Sequence, residues 1–152
     1  MLAVSDTLGP LPDEVLEVVF GCGRRRPSLK YLDLAGCQNG TDGGFEVVAA
    51  GCPNLKHLNL TWCNNVTDGG LAAVAAGCPN LHHLNLYQKK KPYECRSVAD
   101  GGLEAVAAGC PNLQYLNLVQ CTSMADGGLE VAAAGCPNRH FPNANAVRVR
   151  RL

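Results

Sequence analysis

Residues 52–77 read CPNLKHLNLTWCNNVTDGGLAAVAAG, and the pattern of this stretch returns at regular spacing along the chain. The triplet Cys-Pro-Asn recurs with spacings of 26, 32 and 26 residues, beginning at Cys52, Cys78, Cys110 and Cys136. The triplet Asp-Gly-Gly has the same three spacings and begins at Asp42, Asp68, Asp100 and Asp126. A degenerate first unit begins with Arg26, which stands 26 residues before Cys52. A period of this length predicts a solenoid of stacked repeats.

Each repeat contains the signals of a short strand followed by a short helix. Apolar and polar residues alternate at the end of the stretch 55–60, which is typical of a half-buried strand. Asp68 is predicted to be the N-cap of a helix over 69–76, and Gly77 to take the left-handed position that ends it. Because one unit of this size cannot bury its apolar face alone, the units are expected to stack into one continuous core.

The repeat resembles the cysteine-containing leucine-rich repeats of F-box/leucine-rich-repeat proteins, whose units run C-P-x-L-x-x-L-x-L-x-x-C-x-x-V-T-D-x-G-L. The matching residues of one unit are Cys52, Pro53, Leu55, Leu58, Leu60, Cys63, Val66, Thr67, Asp68, Gly70 and Leu71. The resemblance implies an α/β fold, a leucine-rich-repeat solenoid. This is a right-handed β-α superhelix with a parallel sheet on its concave side and short helices on its convex side.

The expected organisation has three parts. Residues 1–25 form an N-terminal capping helix or an F-box-like remnant, 26–138 form about four repeats, and 139–152 form a degenerate unit with a basic tail. The repeats depart from the family pattern at Arg26, at Gly40 and in an insertion at residues 88–93. The failing last unit predicts that the chain is a fragment of a longer family member.

The N-terminal sequence Leu-Pro-Asp-Glu at residues 11–14 has two interpretations. It resembles the opening of an F-box, the segment that docks on the Skp adaptor of cullin-RING ubiquitin ligases, and the adaptor contact would then be Leu11 and Pro12. Alternatively, the apolar helix that follows covers the open end of the stack.

Composition argues against several functional classes. Thirteen Lys and Arg balance thirteen Asp and Glu, so that no general basic field favours a nucleic-acid or membrane partner. No apolar run reaches the about eighteen residues of a membrane-spanning helix. Residues 1–10 lack the basic region of a secretory signal. The nine cysteines are therefore expected to be thiols in a cytoplasmic and/or nuclear protein.

Neither a metal site nor an active site is expected. The recurring Cys–His spacings follow from the repeat itself and comprise Cys52 with His57, Cys78 with His83, and Cys136 with His140. The cysteine lies in a turn and the histidine on a strand, whereas a structural zinc site needs ligands that converge on one point. Nucleophilic catalysis would need a thiolate oriented by a base in a pocket, and no residue pattern places one. We therefore expect no enzyme activity and no cofactor.

The exposed side of the sheet is the candidate binding surface. Strand alternation turns a set of aromatic and polar side chains outward, and Trp62 lies at the rim; the set is Tyr31, Asp33, His57, Asn59, Trp62, His83, Asn85, Tyr87, Tyr115 and Asn117. Aromatic side chains on a rigid concave surface are typical interface anchors. The alternative is a solvated sheet with ordinary cross-strand pairs. The basic run Lys89–Lys91 in the insertion is expected either to contact phosphate or an acidic partner or to be a solvated loop.

The predicted function is therefore that of a protein–protein interaction module. The family resemblance implies substrate recognition for an SCF-type ubiquitin ligase by the concave surface, with an unidentified protein substrate and the Skp adaptor as partners. The alternative is a stand-alone repeat scaffold or fragment without a ligase role.

Overall fold

Strands and helices alternate along the chain. The computed structural model describes residues 7–8, 25–36, 42–63, 65–87, 98–118 and 126–135. The elements are β1 (Thr7–Leu8), β2 (Tyr31–Asp33), α1 (Asp42–Gly51), β3 (His57–Asn59), α2 (Asp68–Gly77), β4 (His83–Asn85), α3 (Asp100–Gly109), β5 (Tyr115–Asn117) and α4 (Asp126–Gly135). All these strands pair in parallel in the order β1-β2-β3-β4-β5, and each helix packs on the helix of the next unit. The predicted solenoid of strand–helix units is confirmed.

The register of the sheet follows the repeat. Tyr31 pairs with His57, His57 with His83, and His83 with Tyr115, so that equivalent residues of successive units lie side by side. Strand β1 was not predicted; its Thr7 pairs with Tyr31 and extends the sheet by one strand. The predicted helix after Pro12 and the insertion at 88–93 lie outside the described residues.

The core consists of the leucines of the strand segments together with apolar residues of the helices. The largest fully buried side chains are Leu29, Leu32, Leu34, Leu55, Leu58, Leu60, Leu71, Leu81, Leu84, Leu86 and Leu103. Burying a leucine contributes about 1.5–3 kcal/mol relative to leaving it exposed. Since the buried residues of successive units belong to one hydrophobic cluster, the core is continuous along the stack.

The aspartates at the helix starts bind the next repeat rather than cap their own helix. The N-cap of α2 is Thr67, whose hydroxyl accepts from the backbone N–H groups of Gly69 and Gly70. That hydroxyl donates to the carboxylate of Asp42 in the preceding unit at 2.7 Å. The carboxylate of Asp68 in turn accepts from the backbone N–H of Ala99 in the following unit at 2.7 Å. The prediction that Asp68 is the N-cap is therefore wrong.

The glycine at the end of each helix is also an inter-repeat contact. Gly77 is the last residue of α2, and in the described residues Gly36 is the glycine with a positive φ. A Cβ atom on Gly77 would lie 2.5 Å from the Cβ and 2.6 Å from the backbone oxygen of Ala49 in α1. Gly109 meets Ala75 in the same way. Gly77 does not have the predicted left-handed conformation, so that prediction is wrong. Glycine is needed at this position because a Cβ atom would collide with the neighbouring helix.

The described cysteines fill the seams between repeats. Cys52, Cys63, Cys78 and Cys110 are buried free thiols. The Cys78 thiol donates to the carbonyl oxygen of Cys52 at 3.4 Å, and the Cys63 thiol to that of Leu34 at 3.0 Å. Burial raises the pKa of Cys52 to about 11 and that of Cys78 to about 12. The four described cysteines are therefore thiols, as predicted, and they act as small buried apolar residues of the core.

Candidate protein-binding surface

The strands present alternate side chains to opposite faces of the sheet. In β2, Tyr31 is 41% exposed, whereas Leu32 is only 2% exposed and belongs to the core. The other three strands that carry described side chains repeat this alternation, with a buried leucine between two half-buried residues. The concave face therefore consists of two outward columns, one from the first and one from the third residue of each strand.

The first column is a row of stacked rings. This ring column consists of Tyr31, His57, His83 and Tyr115. Successive ring centroids are separated by 4.2, 4.2 and 5.5 Å, and the interplanar angles are 13°, 22° and 24°. Because the rings cover one another's faces, the column presents ring edges to solvent. Its spacing follows from the sheet, whose strands lie about 4.8 Å apart.

The second column is polar and is anchored by its own hydrogen bonds. This polar column consists of Asp33, Asn59, Asn85 and Asn117. Asp33 Oδ1 accepts from the backbone N–H of Ala35 at 2.9 Å and from Asn59 Nδ2 at 3.1 Å. Asn85 Oδ1 accepts from the backbone N–H of Tyr87 at 3.0 Å. These bonds fix the side chains, so the surface is ordered before any partner binds.

Trp62 lies in the loop that follows β3 and has an unusual backbone conformation. Its φ is 62°, and it is the one non-glycine residue with a positive φ in the described part of the chain. The equivalent residue of the preceding unit is Gly36, whose φ is 79°. The backbone N–H of Trp62 donates to the carbonyl of Tyr87 at 2.9 Å, and 40% of the residue is exposed. The repeat thus holds a bulky aromatic side chain where glycine is the unstrained choice.

A shallow cavity of about 350 Å³ lies between the two columns. Its lining residues are Tyr31, Leu32, Asp33, His57, Leu58, Asn59, His83, Asn85 and Tyr115. Seven of the ten residues predicted for the binding surface line this cavity. The other three lie beside it: Asn117 ends the polar column, and Trp62 and Tyr87 belong to the loops after the strands. Leu11, Pro12 and Lys89–Lys91 lie outside the described residues.

A row of basic residues that was not predicted lies at the edge of the ring column. This basic edge consists of Lys30, Lys56 and His82, which directly precede β2, β3 and β4. The carbonyl of Lys30 accepts from the N–H of Lys56 at 2.8 Å, and that of Lys56 from the N–H of His82 at 2.8 Å. The three residues are therefore in register. Their recurrence one position before each ring could have revealed them in the sequence.

The basic edge acts electrostatically on the ring column. Burial lowers the pKa of His57 below 6.5, and the nearby His83, His82 and Lys56 lower it further. Burial and the neighbouring His82 also lower the pKa of His83. Both column histidines are therefore neutral at pH 7. Within the described segments, no group of three or more His, Cys, Asp or Glu side chains could hold a metal ion.

The comparisons with known proteins concern the repeat and the fold. A family of leucine-rich repeats, described as "Leucine Rich repeat", matches residues 51–75 and 109–131. The structure is similar to a chain in the crystal structure of the Rad7 and Elc1 complex in yeast, with a TM-score of 0.60 and 18% identity. The match covers 86% of this chain and 32% of the other, so this chain spans about a third of that length. No curated protein sequence matches the chain.

Together with the parallel sheet and its short helices, these matches confirm the predicted leucine-rich-repeat solenoid. Leucine-rich repeats typically act as non-enzymatic modules for protein–protein interaction, and the matching family is not a catalytic one. Among the helices of the described residues, none has the length and apolar character needed to cross a bilayer.

Proposed function

We propose that this chain is a protein-interaction module whose concave surface recognises a protein substrate for an SCF-type ubiquitin ligase. The interaction role follows from the repeat architecture, and the ligase role follows from the resemblance to F-box/leucine-rich-repeat proteins. The similar fold of the yeast chain occurs in a complex of two proteins, Rad7 and Elc1. The mechanism is positional, since the surface holds a protein and no bond is made or broken.

The observation that carries the interaction role is the ring column. Four stacked rings stand on the solvent side of a parallel sheet whose other side is fully buried. Side chains that are already fixed by stacking lose little conformational entropy when a partner binds. Aromatic side chains are also enriched among the residues that contribute most to binding energy. The adjacent polar column supplies hydrogen-bonding groups that select the partner.

The interaction role is tested with two variants, one on each face of the solenoid. Tyr115→Ala removes the last ring of the column, and Glu104→Ala removes an exposed charge on α3 at the convex side. We expect proteins captured by the immobilised chain to be lost with Tyr115→Ala and retained with Glu104→Ala, while both variants keep the wild-type circular dichroism spectrum. Equal capture by the two variants would contradict a concave binding surface.

The ligase role is tested with the purified Skp adaptor. If Leu11 and Pro12 form the adaptor contact, the chain and the adaptor elute together from a size-exclusion column. Replacing both residues with alanine then abolishes the complex. Separate elution of the wild-type chain would favour the stand-alone scaffold and would leave the interaction role intact.

A further inference from the structure

We propose that the occupant of the concave surface is a short acidic peptide segment that runs across the strands, with its carboxylates on the basic edge and on the ring edges of His57 and His83. This inference rests on the proposed interaction role and names the chemistry of the partner. It is carried by the distribution of charge over the two faces of the solenoid.

The zero net charge of the chain hides a separation of charge. On strands β2–β5 and the residues directly before them, the basic residues are Lys30 and Lys56, joined by three histidines, and the only acid is Asp33. The other acidic residues of the described segments lie on the helices, namely Asp42, Glu46, Asp68, Asp100, Glu104, Asp126 and Glu130. The concave face therefore attracts anions while the convex face repels them.

Asp33, the one acid on strands β2–β5, does not oppose such a ligand. Asp33 lies two residues beyond Tyr31, at the end of β2 that is remote from the basic edge. Its carboxylate already accepts hydrogen bonds from Ala35 and Asn59. The rest of the polar column is neutral asparagine. A peptide placed along the ring column thus has cationic groups on one flank and amide groups on the other.

The stacking geometry favours a peptide over a nucleic acid. A nucleobase binds an aromatic residue through its face, but the faces of His57 and His83 are covered by the neighbouring rings, whose centroids lie 4.2 to 5.5 Å away. What remains exposed is the row of ring edges, which carry N–H and O–H donors. His83 Nδ1 is buried without a hydrogen-bond partner in the described structure, which leaves Nε2 as the ring nitrogen that a ligand could contact. Such donors suit carboxylate oxygens.

The sheet also sets the length of the peptide. Three steps of about 4.8 Å separate β2 from β5, which gives about 14 Å. An extended chain advances about 3.3 Å per residue, so that four or five residues cross the ring column. The segment is therefore short, and two or three acidic side chains suffice to contact the basic edge.

Carboxylate binding should also change the protonation of the column histidines. The groups around His57 are Tyr31 and His83 in the column, Lys56 and His82 on the basic edge, and Asp33 across the cavity. In the free protein, burial and then the neighbouring histidines and Lys56 lower the pKa of His57 and disfavour its protonation. A bound carboxylate reverses this effect and raises the histidine pKa, so that the complex takes up protons. By linkage, binding must tighten as the pH falls through the histidine range.

The test uses random dodecapeptides displayed on phage and selected on the immobilised full chain. Enriched peptides are synthesised, and their affinities are measured by fluorescence anisotropy against the wild type and three variants. Lys56→Gln and Ala72→Glu both change the net charge by −1, the first on the basic edge and the second on the exposed side of α2. Tyr115→Ala reports on the concave surface without changing charge. A ten-nucleotide uridine RNA is measured in parallel.

We expect the enriched peptides to be rich in Asp and Glu. Lys56→Gln should weaken their binding about fivefold or more, whereas Ala72→Glu should change it less than about twofold. Binding should tighten about threefold or more between pH 7.5 and 5.5, and less so in His57→Gln. Enriched peptides that need Tyr115 but are not acidic would overturn the acidic chemistry and keep the interaction role. Preferential binding of the RNA would also overturn it. Peptides insensitive to Lys56→Gln and Tyr115→Ala alike would overturn both proposals.

Discussion

Replacing Gly77 with alanine tests whether close helix packing sets the spacing of the repeats. The new Cβ would lie 2.5 Å from the Cβ, 2.6 Å from the oxygen and 2.7 Å from the carbonyl carbon of Ala49. Ordinary contacts of this kind begin near 3.4 Å, so α1 and α2 would have to separate by several tenths of an ångström. Overpacking of this kind costs about 1–3 kcal/mol. The helix propensity of alanine offsets at most about 1 kcal/mol.

We therefore expect Gly77→Ala to lower the free energy of unfolding by about 1–2 kcal/mol, which is a shift of about 2–8 °C in Tm for a chain of this size. Urea unfolding followed by circular dichroism measures the change as a lower midpoint with an unchanged slope. Gly127→Ala is the matched control, because Gly127 is an exposed helical glycine whose Cβ would meet nothing within 4 Å. The control should be as stable as the wild type or slightly more stable.

Two further variants separate packing from backbone conformation. Adding Ala49→Gly to Gly77→Ala removes the contact between the two Cβ atoms but leaves the contact with the backbone oxygen, so stability should return only in part. If Gly77 were needed for a left-handed conformation, asparagine would be tolerated better than alanine. With the packing explanation, the larger Gly77→Asn is the worse variant. A Gly77→Ala chain as stable as Gly127→Ala would refute the reasoning.

Three other measurements test separate parts of the structure. Trp62→Gly should be about 1 kcal/mol more stable than Trp62→Ala, because both variants lose the indole and only alanine keeps the positive-φ penalty. Gly36→Ala should lower the free energy of unfolding by a similar amount. Equal unfolding midpoints for the two Trp62 variants would contradict this explanation. Asp68→Ala should lower the free energy of unfolding by about 1–2 kcal/mol because it removes the acceptor of the Ala99 N–H, and no loss would show that this bond is dispensable. The thiol of Cys78, whose pKa burial raises to about 12, should not react with a disulfide reagent at pH 8 until urea unfolds the chain, and rapid labelling of the native protein would disprove its burial.

The sheet and its core could be predicted from the sequence because both depend only on the repeat period. Residues separated by one period occupy equivalent positions, so Tyr31, His57, His83 and Tyr115 had to be neighbours once the strands were parallel. The burial of the leucines could be predicted in the same way, because leucines one period apart occupy equivalent positions in the core. The composition of the ring column was therefore known in advance, although its stacking distances were not.

The roles of Asp68 and Gly77 could not be predicted from rules that treat one helix at a time. An aspartate before a helix is usually a cap, and a glycine after it usually ends it. Here Thr67 supplies the cap, which frees the aspartate to accept from the next unit, and the glycine faces a neighbouring helix. Both contacts join residues 26 or more positions apart. Only the distance between the stacked helices shows that Asp68 and Gly77 contact the adjacent units rather than cap or end their own helix.

Positions that are the same in every repeat stabilise the stack, whereas positions that vary between repeats are available for recognition. The aspartate and the final glycine of the helix are the same residue in each of the four units, and the contacts of Asp68 and Gly77 with the adjacent units explain why. The ring column and the basic edge vary more: the rings from β2 to β5 are tyrosine, histidine, histidine and tyrosine, and the basic edge continues as Gln114 before β5. Because the sheet holds any side chain at these positions at the same spacing, their identity is free to match a ligand. The two lysines directly precede β2 and β3, and the histidines lie at β3 and β4, so a bound acidic segment should centre on Lys56 and His57 rather than on either end of the sheet.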